Sequence, residues 1–273
     1  MTVSSLKRLA RNWIGAFLVP RPIVGVFFLP RYIRDWFAYS RVNRGKKIKL
    51  ADSYPCLSDW VTKTPFDPHY FYQGAWLSRR LIEAKPERHV DVGSSVTMVS
   101  VLSASIPMIF VDYRPLQAGL TNLKSIAGNL THLPFADDAI DSLSCLHVVE
   151  HIGLGRYGDP IDPEGSRKAV EELQRVLRPG GRLYISAPIG REQVCFNAHR
   201  VFDPETIPGW LTEMSLKEFS YVNDAGSYFE RSLTNQASEN EYACGMYMFE
   251  KNMNEFDRFS MIPGICNRHG NLQ

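Results

Sequence analysis

Residues 89–116, HVDVGSSVTMVSVLSASIPMIFVDYRPL, constrain the fold more than any other stretch of this chain. They read as a strand (His89–Val92), a tight Gly/Ser turn, a helix (Ser95–Ser105), a second strand (Met108–Val111) and then an acid. Asp91-Val92-Gly93-Ser94-Ser95 closes the first strand, and Asp112 closes the second 21 residues later. That layout belongs to a nucleotide-type site in an open parallel sheet. The glycine lets backbone N–H groups approach a ligand at a helix N-terminus, and the later acid accepts hydrogen bonds from ribose hydroxyls. Spacing alone leaves open which ribose-bearing ligand is held.

The pattern continues along the chain. A short helix is expected at Leu116–Asn122, a third strand at Ser125–Gly128 and a fourth at Ile140–His147. Gly165–Leu177 is amphipathic, with Ala169, Leu173, Val176 and Leu177 on one stripe, and Arg178-Pro179-Gly180-Gly181 stops it. Arg182–Ala187 alternates as a fifth strand. Asp203 reads as an N-cap with Pro204 at the first helical position, for a helix running toward Leu211. Leu216–Val222 and Tyr242–Glu250 are the last strands, joined by a polar loop, Asn223–Glu241. The fold expected is α/β and doubly wound: seven strands, mostly parallel, an antiparallel last strand, helices on both faces.

Four segments follow from this reading. Residues 1–50 form a basic aromatic arm, 51–87 a connecting or lid segment, 88–252 the sheet domain and 253–273 a C-terminal tail. Residues 51–87 are broken by Pro55, Pro65, Pro68 and Pro86, with a helix expected only at Ala75–Glu83. The arm holds eleven Lys/Arg and one acid, Asp35, although the whole chain is only +2. Its apolar runs, Trp13–Val19 and Ile23–Leu29, are split by Pro20, Arg21 and Pro22, so neither reaches the ~20 residues of a bilayer span. Such an arm either lies on an anionic membrane surface through residues 1–40, or packs on its own domain or on a second subunit in a homodimer. No nucleic-acid reader motif is visible. The five cysteines, at 56, 145, 195, 244 and 266, form no CxxC pair. That argues against structural zinc and a disulfide framework and for a reducing cytoplasm, with the inner face of the membrane as the peripheral option.

Three later blocks carry a resemblance. NLTHLPFADDAID (129–141), LHVVEHI (146–152) and LQRVLRPGG (173–181) followed by LYISAP (183–188) resemble ordered motifs of class I S-adenosylmethionine-dependent methyltransferases, notably the quinone-biosynthesis type. With them, YPCLSDW, TPFDPHYFYQGAW, HVDVGSS, FVDYRPL, LHVVEHIGLGRYGDPIDPEG, FNAHRVFDPETI and YACG are similar to a bacterial family catalogued as domain of unknown function 268. The resemblance implies the Rossmann-like class I methyltransferase fold rather than a dehydrogenase, and S-adenosylmethionine as cofactor. It implies that Asp91, Gly93 and Ser94 face the methionine part, Asp112 takes the ribose diol and Tyr113 flanks the adenine. Asn129, beside Leu130, would accept from the adenine amine, and His147 would lie under the sulfonium.

For the acceptor, His199, His151 and Asp159 are the candidate catalytic groups. A histidine near neutral pKa suits removal of a hydroxyl proton. Tyr72, Arg156, Tyr157, Asp162 and Asn197 are candidate substrate contacts, and His69, Tyr70 and Tyr72 are expected to form either a lid or buried packing. No metal is required by this scheme, although Asp159 and Asp162, with His151, could hold Mg²⁺. The activity implied is O-methylation of a sugar or glycan hydroxyl in surface-polysaccharide biosynthesis. The alternatives are a non-catalytic scaffold of the same fold, or a methyltransferase for a small molecule or quinone-type carbon.

Overall fold

The computed structural model describes residues 22–42, 48–57 and 59–253. The apolar run Trp13–Val19, Cys266 and the tail beyond Met253 lie outside the described residues. Two compact units meet at the Phe66/Asp67 boundary, inside the expected connecting segment. In the first, helix α1 (Pro22–Val42) starts on a proline and carries Pro30 within it. Phe27, Phe37, Tyr39 and Val42 of α1 are exposed, and the Arg31 guanidinium lies 3.6 Å over the Trp60 ring. No described helix is long and apolar enough to cross a membrane.

The second unit is built on one eight-stranded sheet in the order β3-β2-β1-β4-β5-β10-β8-β9. Its strands are β1 (His89–Val92), β2 (Met108–Asp112), β3 (Leu123–Ala127), β4 (Ile140–Leu146), β5 (Leu177–Ile189), β8 (Met214–Val222), β9 (Tyr228–Phe229) and β10 (Ala243–Lys251). The first five pair in parallel, and β10 runs antiparallel between β5 and β8. The eighth strand, absent from the sequence expectation, is the two-residue β9. A separate hairpin, β6 (Gln193–Cys195) with β7 (His199–Val201), follows β5.

Alternation along the strands divides the core into two layers, as period-2 geometry requires. Leu143 and Cys145 of β4, Leu183 and Ile185 of β5, and Tyr247 and Phe249 of β10 pack with Ala169, Leu173 and Val176. Those last residues belong to helix α4 (Gly165–Val176). Leu146, Tyr184, Cys244 and Met246 point the other way, onto Trp76, Leu77, Leu81, Val99 and Leu102, which lie on helices α2 (Pro68–Ala84) and α3 (Val96–Leu102). Helices therefore cover both faces, as expected.

Several local expectations change. Pro68 does not break a helix but starts one. Asp67 caps α2 by accepting from the Tyr70 N–H at 3.2 Å, with Pro68 at the position where a missing N–H costs nothing. Leu116–Asn122 is not a helix; it is irregular, with an isolated bridge from Leu120 to Leu123 and a turn at Thr121 and Asn122. Asp203 does not cap: helix α5 is Thr206–Trp210, and the Asp203 carboxylate closes a turn on the Glu205 N–H at 2.9 Å. The amphipathic helix ends at Val176, one residue before the expected limit, and Arg178-Pro179-Gly180-Gly181 already belongs to β5, with Gly180 at φ +74°.

Helix α2 is tied to the sheet by a buried ion pair. Arg80 donates from Nε and Nη2 to the Glu218 carboxylate on β8, and the Trp76 indole N–H donates to the same group at 2.9 Å. Arg80 also reaches Glu230 at 2.7 Å. Burial pushes the Glu218 carboxyl up, but the Arg80 guanidinium and the Trp76 indole hold it below its ordinary value. Removing one partner of such a pair strands the other in the interior. Arg80→Ala should therefore cost about 3–5 kcal/mol in urea unfolding. The paired change Arg80→Met with Glu218→Leu should recover most of that loss; a single-variant cost under about 1 kcal/mol contradicts the assignment.

Candidate cofactor and acceptor site

The carboxyl ends of β1, β2, β3 and β4 meet on one edge and enclose a cavity. Gly93 after β1, Asp112, Tyr113 and Arg114 at the end of β2, and Asn129 and Leu130 after β3 line one side. His147, Val148, His151, Tyr157 and Asp159, all following β4, line the other. Gly93 takes φ +70°, and a Cβ there would fall 3.1 Å from the Val148 side chain, so the floor is open only to glycine. Asp112 accepts from the Arg114 N–H at 2.7 Å, which holds its carboxylate at the rim.

The structure brings most of the expected cofactor residues together but separates Asp91 and Ser94 from the cavity. Asp91 is fully buried. One of its oxygens accepts from the Ser94 N–H at 3.1 Å and the other from the Ser144 hydroxyl. Ser94 in turn accepts the Leu146 N–H at 2.9 Å. These residues thus lock the turn and tie β1 to β4 instead of facing the ligand. The network extends to His89, whose Nε2 lies 2.8 Å from Ser144 Oγ and whose Nδ1 lies 2.7 Å from Ser142 Oγ. Because Ser144 spends its only proton on Asp91, His89 must donate from Nε2 and accept at Nδ1. Burial holds His89 neutral by pulling its pKa down to about 3.

Asn129 also departs from its expected role. Its side-chain carbonyl accepts from both the N–H and the hydroxyl of Thr131, each at 3.0 Å, so it is not an uncommitted acceptor. The loop that carries it is pinned from α4. Glu172 accepts the Leu133 N–H at 2.6 Å, while Arg175 binds Glu172, Asp137 and the Phe135 carbonyl. The LPFADD and LQRV blocks are therefore two halves of one clamp.

On the acceptor side, His151 faces the cavity and donates from Nδ1 to the Ala198 carbonyl at 2.7 Å. That fixes the tautomer with Nε2 unprotonated, and burial keeps the ring below its ordinary pKa despite Glu150 nearby. Tyr157 lies between two guanidinium groups, Arg114 at 5.0 Å and Arg156 at 5.1 Å from its ring, and so bridges the β2 and β4 loops across the opening. Asp159 lines the cavity, yet its carboxylate closes its own loop on the N–H groups of Gly153, Gly155 and Tyr157. These bonds hold it below the ordinary carboxyl range against burial. Asp162 pairs with Lys168 and the Glu164 N–H, 2.7 and 3.0 Å away. Both carboxylates are thus engaged within their own loop, Asp159 by backbone N–H groups and Asp162 by Lys168 and a backbone N–H.

The remaining candidates lie off the cavity wall. His199 is on β7, with its ring against Tyr242 at 5.0 Å. Asn197 is exposed in the preceding hairpin turn, and Arg156 holds the Ala198 carbonyl at 2.9 Å from outside. Tyr72 stacks on Tyr228 at 5.0 Å and packs into the α2 layer, so it serves packing rather than substrate contact. His69 and Tyr70, at the start of α2, do stack on His147, at 5.7 and 5.5 Å. Sequence reasoning missed Arg114, Glu150 and Cys244. Cys244 sits 3.2 Å from His147 Nε2, and Glu150 sits 2.9 Å from His147 Nδ1. Burial alone would depress the His147 pKa, but the Cys244 and Glu150 neighbours hold it well above the ordinary value.

The sheet order and the antiparallel β10 define the class I methyltransferase fold. Residues 120–241 match the family model described as Caenorhabditis protein of unknown function, DUF268, so the family resemblance is met again in that segment. The demethylmenaquinone methyltransferase of Paenarthrobacter aurescens is 33% identical over 103 residues, 36% of this chain and 34% of that protein. Uncharacterized protein MJ0638 of Methanocaldococcus jannaschii is 25% identical over 114 residues, 40% of this chain and 44% of that one. The chain thus spans less than half the length of these curated relatives. Among solved structures, the N-methyltransferase NodS of Bradyrhizobium japonicum, with S-adenosylhomocysteine, superposes with a TM-score of 0.47 at 15% identity. That match covers 67% of this chain and 88% of NodS.

The buried Asp91 gives a pH signature. Burial raises its pKa from 3.8 to about 6, more than its hydrogen bonds lower it. The folded state therefore holds this proton more tightly than the unfolded chain. The charge penalty is absent below about pH 4 and fully present above about pH 6, amounting to about 3 kcal/mol. Asp91→Asn removes it, so the variant's stability relative to the parent should rise between pH 4 and 7 in chemical denaturation. A pH-independent difference contradicts the assignment.

Proposed function

We propose that this chain is an S-adenosylmethionine-dependent methyltransferase that acts on a hydroxyl of a sugar or glycan. The observation that carries the reading is the cavity at the ends of β1, β2 and β3, where a glycine floor, Gly93, and a rim carboxylate, Asp112, share one wall. A nucleoside with a ribose diol suits that pair: the glycine permits close backbone approach, and the carboxylate accepts from two hydroxyls. Tyr113 and Leu130 offer flat and apolar surface for the base. When bound, S-adenosylmethionine supplies a methyl group already activated by its sulfonium.

The protein's own work is then to orient the acceptor and take its proton. His151 is the base this reading assigns. It lines the cavity, its Nδ1–H is committed to the Ala198 carbonyl, and its Nε2 is free of a proton at neutral pH. His199 is the weaker candidate because its ring lies against Tyr242, away from the cavity wall. Tyr157, between its two arginines, limits water entry and offers an aromatic face with polar neighbours, a surface suited to a sugar ring. The similarity to a demethylmenaquinone methyltransferase favours a second reading, transfer to a quinone-type carbon.

Calorimetric titration with S-adenosylhomocysteine should give binding that weakens at least tenfold in Asp112→Ala. His151→Ala should leave that affinity unchanged while lowering turnover more than tenfold. A screen with tritiated methyl donor, offering glycans beside quinone precursors, separates the two acceptor classes. No binding of S-adenosylhomocysteine by the parent protein overturns the reading in favour of a non-catalytic partner of the same fold.

A further inference from the structure

A second cluster shares His147 with the cavity wall and takes no part in the scheme above. His69 at the start of α2, His147 at the end of β4 and Cys244 at the start of β10 place one ligand atom each within 4.8 Å of one another. His147 Nε2 is 3.2 Å from Cys244 Sγ, close to the spacing of two ligands around one tetrahedral ion. We propose that these three side chains bind a zinc ion, with the fourth position open toward the acceptor side of the cavity.

Four features argue for a metal. The donor set, two imidazole nitrogens and one sulfur, is the set a borderline-soft ion such as Zn²⁺ selects, and it is unsuited to Mg²⁺. The second nitrogen of His147 points at the Glu150 carboxylate, 2.9 Å away; a carboxylate behind a ligating histidine fixes its tautomer and raises its basicity. Glu150 is almost wholly buried, and its other oxygen has no hydrogen-bond partner among the described residues. A buried carboxylate oxygen left in this way favours a cation close by. Finally, His147 sits at φ +54°, a left-handed conformation uncommon outside glycine. That turn at the end of β4 points its ring toward both Cys244 and the His69 ring.

The ligands come from three separately anchored elements. Cys244 is held in register opposite Pro188 of β5, and the His147 N–H donates to Ser186 of the same strand at 2.9 Å. His69 belongs to the helix that Arg80 ties to β8. Three protein ligands with an open fourth position are the pattern of reactive rather than structural zinc. A water or an acceptor hydroxyl bound there would lose its proton more readily. This last role rests on the methyltransferase reading; metal binding does not.

The test uses the full chain without a histidine tag. Metal analysis of the purified protein, and cobalt titration of chelator-treated protein, should give one equivalent per chain with a thiolate-to-cobalt charge-transfer band. Cys244→Ala should abolish the band. His69→Ala, at a half-buried helix start, should weaken binding at least tenfold while keeping the parent's circular dichroism and S-adenosylhomocysteine affinity. Glu150→Gln should weaken it about tenfold or more. Zinc competition against a chromogenic chelator that shows no specific binding, or binding indifferent to Cys244→Ala and His69→Ala, overturns the proposal. The parallel S-adenosylhomocysteine titration keeps that failure distinct from failure of the cofactor reading.

Discussion

The whole carboxyl edge depends on β1 being hydrogen-bonded on both sides, to β2 through Val92 opposite Val111 and to β4 through Asp91 opposite Ser144. A four-residue strand buried on both faces can be held only by its ladders and its side chains. Val90 and Val92 fill the α4 layer, while His89 and Asp91 face the other way and complete a closed polar chain with Ser142, Ser144 and Ser94. That chain fixes the Gly93 turn relative to β4. Asp112, His147 and His151 then inherit their positions from strands registered against β1.

A second anchor operates on the opposite flank. The Arg80–Glu218 pair and the Trp76 indole hold α2 across the layer that contains Tyr184 and Met246. The same helix delivers His69 and Tyr70 to the rim of β4. Helix placement and the chemistry beside His147 are therefore coupled, although the ion pair itself lies well along the helix from His69.

Much of this was legible in the residues. Apolar runs bounded by Gly, Pro and acids gave the strands near their true limits, and HVDVGSS with Asp112 located the cavity before any geometry was known. What failed has physical causes. Pro68 reads as a breaker among its neighbouring prolines, yet Asp67-Pro68 is the same Asp-Pro pair that suggests a cap at Asp203-Pro204, and of the two it is Asp67 that caps. Asp91 reads as a ligand residue because its spacing resembles the family motif; Ser144, the hydroxyl that binds it in the interior, lies some fifty residues away and signals nothing by itself. Asp159 and Asp162 looked like uncommitted acids, but loop backbone and Lys168 had already claimed them. The His69–His147–Cys244 cluster was invisible because its members are separated by roughly eighty to a hundred residues and show no metal-ligand spacing. Cys244 in particular reads as an ordinary buried strand residue.

Everything proposed for this protein turns on a nucleoside binding at the edge formed by β1, β2 and β3. Amide chemical shifts of isotope-labelled protein titrated with S-adenosylhomocysteine test it most directly. Saturable shifts are expected at Gly93, Asp112, Tyr113, Asn129 and Leu130, with little change along β8 and β9. Shifts confined to surfaces away from that edge, or none at saturating ligand, would contradict it.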